Sequence, residues 1–252
     1  MFDLSFSHGN GKLPKSTMIF NLPAGKTCPG SDKCMAFVTL DSEGKRKVVD
    51  GSDMQFRCFA ASTEVRFGAV YNSRQNNFNS IKSLLKDFTV GQAGKIVADT
   101  IQAQRKMKGK NVTTHVRIHE SGDFYSANYF AMWMHVARLI PDPTFYAYSK
   151  NLPMILNYGM DMLPSNFYLT ASMGGKFDHL IEEGFFPRYS VVLMNQAEAD
   201  AKGLEVDHDE THCYTQDGPF ALLVHGTQPA GSVYGKEIQL RKKNKEFVGY
   251  SK

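Results

Sequence analysis

From about residue 112 onward the chain repeats one alternation, a short stretch of strand-forming residues followed by an amphipathic stretch at helical spacing. The strand-like segments are "TTHVRIHES", "TFYAYSK", "NFYLTAS", "YSVVLMN" and "FALLVHG". Between them lie "SANYFAMWMHVARLI", with Pro141 and Pro143 just past its end, then "NLPMILNYG", "FDHLIEEGF" and "QAEADAKGL". Neighbouring parallel strands need a crossover long enough to hold a helix, and most of these gaps supply one. The fold class expected is α/β, with parallel strands alternating with helices. A partial or closed (β/α) barrel satisfies this order, and so does an open doubly wound sheet. No G-x-G-x-x-G turn follows these strands, which counts against dinucleotide binding.

The sequence before residue 111 reads differently. "NFNSIKSLLKDF" and "AGKIVADTIQAQRKM" have helical spacing, but the part before them is rich in Gly, Ser, Asn and Asp and reads as irregular. All 252 residues are expected to form one domain, with 1–110 an irregular to helical cysteine-containing region and 111–252 the β/α repeats. Hydrophobic content of 42% is enough for a substantial core. No apolar run approaches the ~18–20 residues of a membrane span. The opening "MFDLSFSHGNGKLPKS" lacks the pattern of a secretory signal. A reducing, cytoplasmic setting is expected, and disulfides are not.

Side chains alternate along a strand. Val116 and Ile118 share one face, and His115, Arg117 and His119 the other. Phe145 and Ala147 oppose Tyr146, Tyr148 and Lys150, while Phe167, Leu169 and Ala171 oppose Tyr168, Thr170 and Ser172. In a barrel the apolar set would meet the helices and the polar set would point inward. Barrel interiors are usually filled with branched apolar groups. A polar interior therefore suggests a cavity for water, a small-molecule ligand or a cofactor. Sites in such folds gather at the C-terminal ends of the strands. Those ends offer His119, Glu120, Ser121, Asp123, Lys150, Ser172, Asn195, His225 and Gln228, with Gly122, Gly174, Gly175 and Gly226 permitting close backbone approach.

Three of the four cysteines lie early: Cys28 and Cys34 in "NLPAGKTCPGSDKC", and Cys58 in "FRCFAAS". Their gaps of five and twenty-three residues do not match a zinc knuckle. An iron–sulfur cluster tolerates varied spacing, because its ligands attach to different irons. A [4Fe–4S] cluster on Cys28, Cys34 and Cys58 is expected, with zinc as the alternative. A fourth ligand is open between Cys213, a histidine and no protein group. Cys213 lies between His208, His212 and a polar run, where a separate zinc site would need a further ligand.

The segments "NLPAGKTCPGSDKC", "FRCFAAS", "RIHESGDFYS", "FYAYSK", "LTASMGG" and "HGTQPAGS" together resemble the bacteriophage family called gene product 88 and related phage and plasmid proteins. The likeness runs in order from about residue 20 to residue 235. The family is of unassigned biochemical function. The resemblance implies a phage-encoded protein of the bacterial cytoplasm and puts weight on Cys28, Cys34, Cys58, His119, Ser121, Gly122 and Asp123. It does not extend to Cys213, which favours three cysteine ligands over four. A looser, architectural resemblance is to radical S-adenosylmethionine enzymes, whose cysteines are spaced more closely.

The expected function is thus an iron–sulfur protein with a ligand cavity below its cluster, acting on a small molecule by radical-type or lyase-type chemistry if it is an enzyme. His119 and Asp123 are the candidates for proton transfer and Lys150 for anion binding. Ser121, Gly122, Ser172, Asn195 and His225 would line the ligand or cofactor. The alternative is a nucleic-acid or host-protein binder with a structural metal or none. It rests on the basic runs at 44–47, 104–110 and 241–245 and on Phe124 and Tyr125 as exposed aromatics. A net charge of +4 indicates nucleic acid only weakly. A metal-dependent hydrolase using His119, Glu120 and Asp123 ranks last, since the triplet lacks a recognised spacing. Oligomeric state is not legible.

Overall fold

The computed structural model describes residues 2–107 and 113–250. The N-terminal part holds β1 (Phe6–His8), β2 (Thr17–Phe20), β3 (Ala36–Leu40), β4 (Arg46–Asp50), α1 (Phe59–Arg66), α2 (Gly68–Asp87) and α3 (Val90–Met107). There follow β5 (His115–Ile118), α4 (Ala127–Leu139), β6 (Thr144–Ser149), α5 (Leu152–Tyr158), β7 (Phe167–Ser172), α6 (His179–Glu182), β8 (Tyr189–Leu193), α7 (Gln196–Ala201), α8 (His212–Thr215), β9 (Phe220–Leu223) and α9 (Val233–Lys243). None of the described helices is long and apolar enough to cross a membrane.

Seven strands form one sheet in the order β1-β2-β5-β6-β7-β8-β9, and β3 and β4 form a separate hairpin. Only β1 runs antiparallel to its neighbour. The spatial order is the sequence order, with no reversal. Right-handed crossovers that all step the same way keep their helices on one face of the sheet. A doubly wound sheet would reverse at a switch point. The sheet is not closed either, since β1 and β9 stand as its two ends among the described residues.

The expectation of an irregular first third needs correcting. "TMIF" is β2, a sixth parallel strand paired with β5 from Thr17↔His115 to Phe20↔Ile118. All four of its residues are buried, so it lacks the in–out alternation that marks a half-exposed strand. The hairpin β3–β4 and the helix α1 also lie in the stretch read as irregular.

The main core lies between the sheet and its helices. Val116, Ile118, Phe145, Ala147, Phe167, Leu169 and Ala171 present one sheet face to it. Helix α4 starts at Ser126, whose side chain accepts from the Tyr129 amide, and stops just before Pro141. It is buried almost all round, because the sheet lies on one side and α3 on the other. Trp133 sits edge-on to Phe20, with ring centroids 5.3 Å apart. Each large side chain of this helix contributes roughly 1.5–3 kcal/mol by leaving water. The register Phe145↔Phe167 and Tyr146↔Tyr168 keeps apolar and polar sets on opposite faces, and a one-residue slip would exchange them.

Candidate functional site

Residues 22–34 cross the C-terminal ends of β5, β6 and β7. The Leu22 amide donates to the Ser121 carbonyl at 2.9 Å, and the Lys33 amide to the Gly174 carbonyl at 3.0 Å. The Lys176 amide donates to the Gly30 carbonyl at 2.9 Å, beside a bridge between Ser31 and Gly175. Small residues make this approach feasible. A Cβ on Gly30 would overlap the Lys150 carbonyl, and one on Gly122 would stand 2.7 Å from both Leu22 Cβ and Thr27 Oγ1. Gly122 also has φ of +89°, which disfavours any larger residue.

This loop brings Cys28 and Cys34 towards Cys58, which is the cap residue at the N-terminus of α1. All three are free and half-buried. Burial pushes the Cys28 thiol well above its usual value, and negative charge on Asp123, Cys58 or Cys34 pushes it further. Cys58 is pushed up to about 11, by burial first and then by Cys34. Hydrogen bonds from the Ala60 and Ala61 amides and the charge of Arg74 pull Cys58 the other way. The three thiols are therefore electrostatic neighbours, and Cys28 and Cys58 are protonated near neutral pH. Their sulfurs do not all lie within 4.8 Å of one another. Ligands tetrahedral about one zinc ion, at ~2.3 Å each, would sit roughly 3.8 Å apart. Cys34 Sγ also lies 3.3 Å from Ser31 Oγ.

Asp123 stands beside Cys28 and is 4% exposed. Its Oδ1 accepts from the Phe124 amide and Ser149 Oγ, both at 2.7 Å, and its Oδ2 accepts from the Lys150 amide at 2.8 Å. Burial raises the carboxyl to about 6 despite these donors and the Lys150 charge. It can thus exchange a proton near neutral pH. Lys150 Nζ donates to Ser172 Oγ at 2.9 Å and to the carbonyls of Ser172 and Met173. Its three donors tie β6 to the end of β7.

A buried network that sequence reasoning missed fixes the loop from the other side. Glu64 Oε1 accepts from the Ala24 amide at 2.9 Å, from Arg74 at 3.0 Å and from Ser121 Oγ at 3.1 Å. Asn77 donates to the carbonyls of Ser5 and Asn21. Arg74 and Asn77 share the buried face of α2 with Ile81 and Leu84. That three-and-four spacing was the available signal, though two polar members obscured it. Gln228, beyond β9, accepts from the Arg57 amide at 2.7 Å and donates to the Arg57 carbonyl at 3.0 Å. The residue before Cys58 is thereby held to the same rim.

The remaining candidates lie as follows. His119 has φ of +69°, which breaks the alternation of β5 and turns the ring to the helix side, against Phe124 and Tyr129. It does not share a face with Arg117 as expected. Its Nε2 is 2.7 Å from Tyr129 Oη, and burial, then Arg117, pushes it well below the usual imidazole range. Glu120 bonds Asn10 and Asn21. Asn195 caps α7 and donates to Glu237 at 2.8 Å. His225 lies against Phe59, with ring centroids 4.6 Å apart, and is lowered to about 4, mainly by burial.

On the polar face of the sheet Arg117 is buried, and the segment before β9 packs against it. Glu210 Oε2 accepts from Arg117 Nε at 2.7 Å, and the guanidinium lies over Tyr148, 4.5 Å from its centroid. Burial opposes both charges, but each holds the other ionised: Arg117 is raised, and Glu210 is lowered by Arg117 and Lys12. Cys213 joins Tyr146 and Phe220 in a small cluster on this face and donates to the Glu210 carbonyl at 2.7 Å, apart from the other thiols.

The basic runs are scattered. The first lies at β4, where Lys47 pairs with Asp41. The second extends from α3 into 108–112, outside the described residues. In the third, Arg241 is buried and donates to the Val224 carbonyl at 2.6 Å. Phe124, expected to be exposed, is fully buried in the main core.

Comparison with known proteins gives one match. The family model described as Gene product 88 covers residues 4–248. No curated protein and no solved structure matches the chain.

Proposed function

The chain belongs to the Gene product 88 family, and from that premise we propose that it is a phage iron–sulfur protein of the bacterial cytoplasm. Cys28, Cys34 and Cys58 hold a [4Fe–4S] cluster over the strand ends. The open sheet is read as a partial (β/α) barrel with its mouth at this rim. The observation that carries the reading is the electrostatic contact among three thiols drawn from a loop and a helix N-terminus. Sulfurs not all within 4.8 Å of one another fit a single zinc ion poorly, whereas each cysteine of a multi-iron cluster binds its own iron. The amides of Ala60 and Ala61 already point at Cys58, as hydrogen bonds to a cluster sulfur require.

A bound cluster of this kind supplies electron transfer, or an iron without a cysteine that can take a small ligand. The chain's own residues supply the rest. Asp123 exchanges a proton beside Cys28 near pH 6, Lys150 locks β6 to β7, and the Glu64–Arg74 pair fixes the loop. Loading the cluster must strip the thiol protons, so binding releases protons and weakens as pH falls.

Anaerobic expression followed by iron and acid-labile sulfide analysis tests the reading. About four of each per chain are expected. Cys28→Ser, Cys34→Ser and Cys58→Ser should each lose most of both, and Cys213→Ser should keep them. Colourless protein without iron or sulfide after anaerobic reconstitution would overturn it.

A further inference from the structure

Between β8 and β9 the chain reads Asp207, His208, Asp209, Glu210, Thr211, His212. One carboxylate oxygen each from Asp207 and Asp209 and one ring nitrogen of His212 lie within 4.8 Å of one another. We propose that these three residues hold one divalent transition-metal ion of the zinc type, at a site separate from the three cysteines.

Two buried polar atoms without hydrogen-bond partners carry this beyond a mere acidic cluster. Asp207 is fully buried, and its Oδ2 has no hydrogen-bond partner. Its Oδ1 accepts from the Asp209 and Glu210 amides at 3.1 and 2.7 Å, which fixes the carboxylate in place. His212 Nδ1 is also buried without a hydrogen-bond partner, 3.6 Å from Asp207 Oδ1. His212 Nε2 lies 3.1 Å from Glu205 Oε2. A carboxylate accepting from Nε2–H leaves the Nδ1 lone pair free and aimed at Asp207. Metal-binding histidines are set up in this way, with the second nitrogen donating to a carboxylate.

The donor set decides the ion. One imidazole and two carboxylates suit zinc or a neighbouring first-row ion, whereas magnesium and calcium prefer all-oxygen sites. Three protein ligands leave a coordination position for water. The facing charges are Lys12, whose Nζ donates to the Asp207 carbonyl at 3.4 Å, with Glu210 beside it. Burial also raises the Asp207 carboxyl, a cost that a bound cation removes. The ion would pin the segment carrying Glu210 and Cys213 to the polar sheet face.

Titration of chelator-treated full-length chain with ZnCl2 and with CoCl2, against Asp209→Ala, His212→Ala and Glu205→Gln, tests this. Asp209 is exposed and its Oδ1 bonds Thr211 two residues on, so its replacement disturbs a local turn and no core packing. The site predicts a Co2+ spectrum component without thiolate charge transfer that survives Cys28→Ser/Cys34→Ser/Cys58→Ser. Asp209→Ala and His212→Ala should weaken zinc binding by roughly a hundredfold or more, and Glu205→Gln by about tenfold. Zinc binding that is abolished by the cysteine substitutions and unchanged in Asp209→Ala and His212→Ala would overturn the proposal, as would no binding at all.

Discussion

The rim at the strand ends and the polar face of the sheet are both rich in groups that a core normally excludes, yet they resolve them in opposite ways. On the sheet face Arg117 has a carboxylate and two tyrosine rings, so its charge is answered within the chain. At the rim negative charge on Asp123, Cys58 or Cys34 hinders ionisation of Cys28, and charge on Cys34 hinders that of Cys58. A buried group that is satisfied stabilises a shape. At the rim the opposing charges of Arg74 and Lys150 only partly offset the burial of Cys58 and Asp123. Polarity alone does not mark a site, and the sheet face shows this.

The largest test of the contrast is on the sheet face. Glu210→Ala leaves the Arg117 guanidinium buried and unpaired and should cost about 3–5 kcal/mol in urea unfolding. Replacing both by Met should recover most of that loss, because the pair's mutual attraction does little more than offset its desolvation. Failure of the double replacement to recover would mean the pair does more than neutralise itself.

At the rim, Gly122→Ala forces a side chain into a positive-φ position against Leu22 and Thr27 and should cost about 2–3 kcal/mol. It should also lower iron retention, which Glu210→Ala should not. Loss of iron in both would erase the distinction between the two regions.

Asp123 gives a pH signature. Its folded carboxyl titrates near 6, above an unfolded value near 4. The folded state therefore binds more protons between those values, and this contribution is full below about pH 4 and lost as pH rises to 6. The size is on the order of 2–3 kcal/mol, and Asp123→Asn should flatten that part of the stability profile. His225 has the opposite sign: lowered to about 4, it favours folding above its unfolded value and loses that as pH falls through 6.5 towards 4. Guanidinium titrations of the unaltered chain and of Asp123→Asn across pH 4–7 separate the two slopes.

The smallest stability effect belongs to the proposed ligands. Cys58→Ser in metal-free protein should change stability by less than about 1 kcal/mol, since the half-buried thiol packs against a small alanine cluster and serine is close to it in size. Cys213→Ser, in an apolar cluster, should cost about 1–2 kcal/mol. A large loss at Cys58 would recast it as a core residue.

Legibility followed the local pattern. β5 to β7 were visible because their apolar and polar residues alternate, and β8 and β9 as short apolar runs between helical segments. β2 was hidden by burial on both faces, and α1 by Glu64, a carboxylate on its buried side. The rim residues could be named from the strand ends. That Glu64 and Gln228 would hold the cysteine segments could not, because those bonds span 40 and 171 residues. The polar sheet face was legible, but its filling was not: Glu210 reaches Arg117 from 93 residues away.

The sequence by itself determined the α/β class, the polar parity of three strands and the placing of three of the four cysteines within the first 58 residues. These follow from residue type and short-range period, which act within a few residues. Only the tertiary structure decided that the sheet is open and unreversed, that a distant segment packs on its polar face, and that the Cys28 loop and the start of α1 lie at the same rim. Each of those depends on which surfaces the chain brings together when it buries its core, and that is settled by packing over the whole molecule.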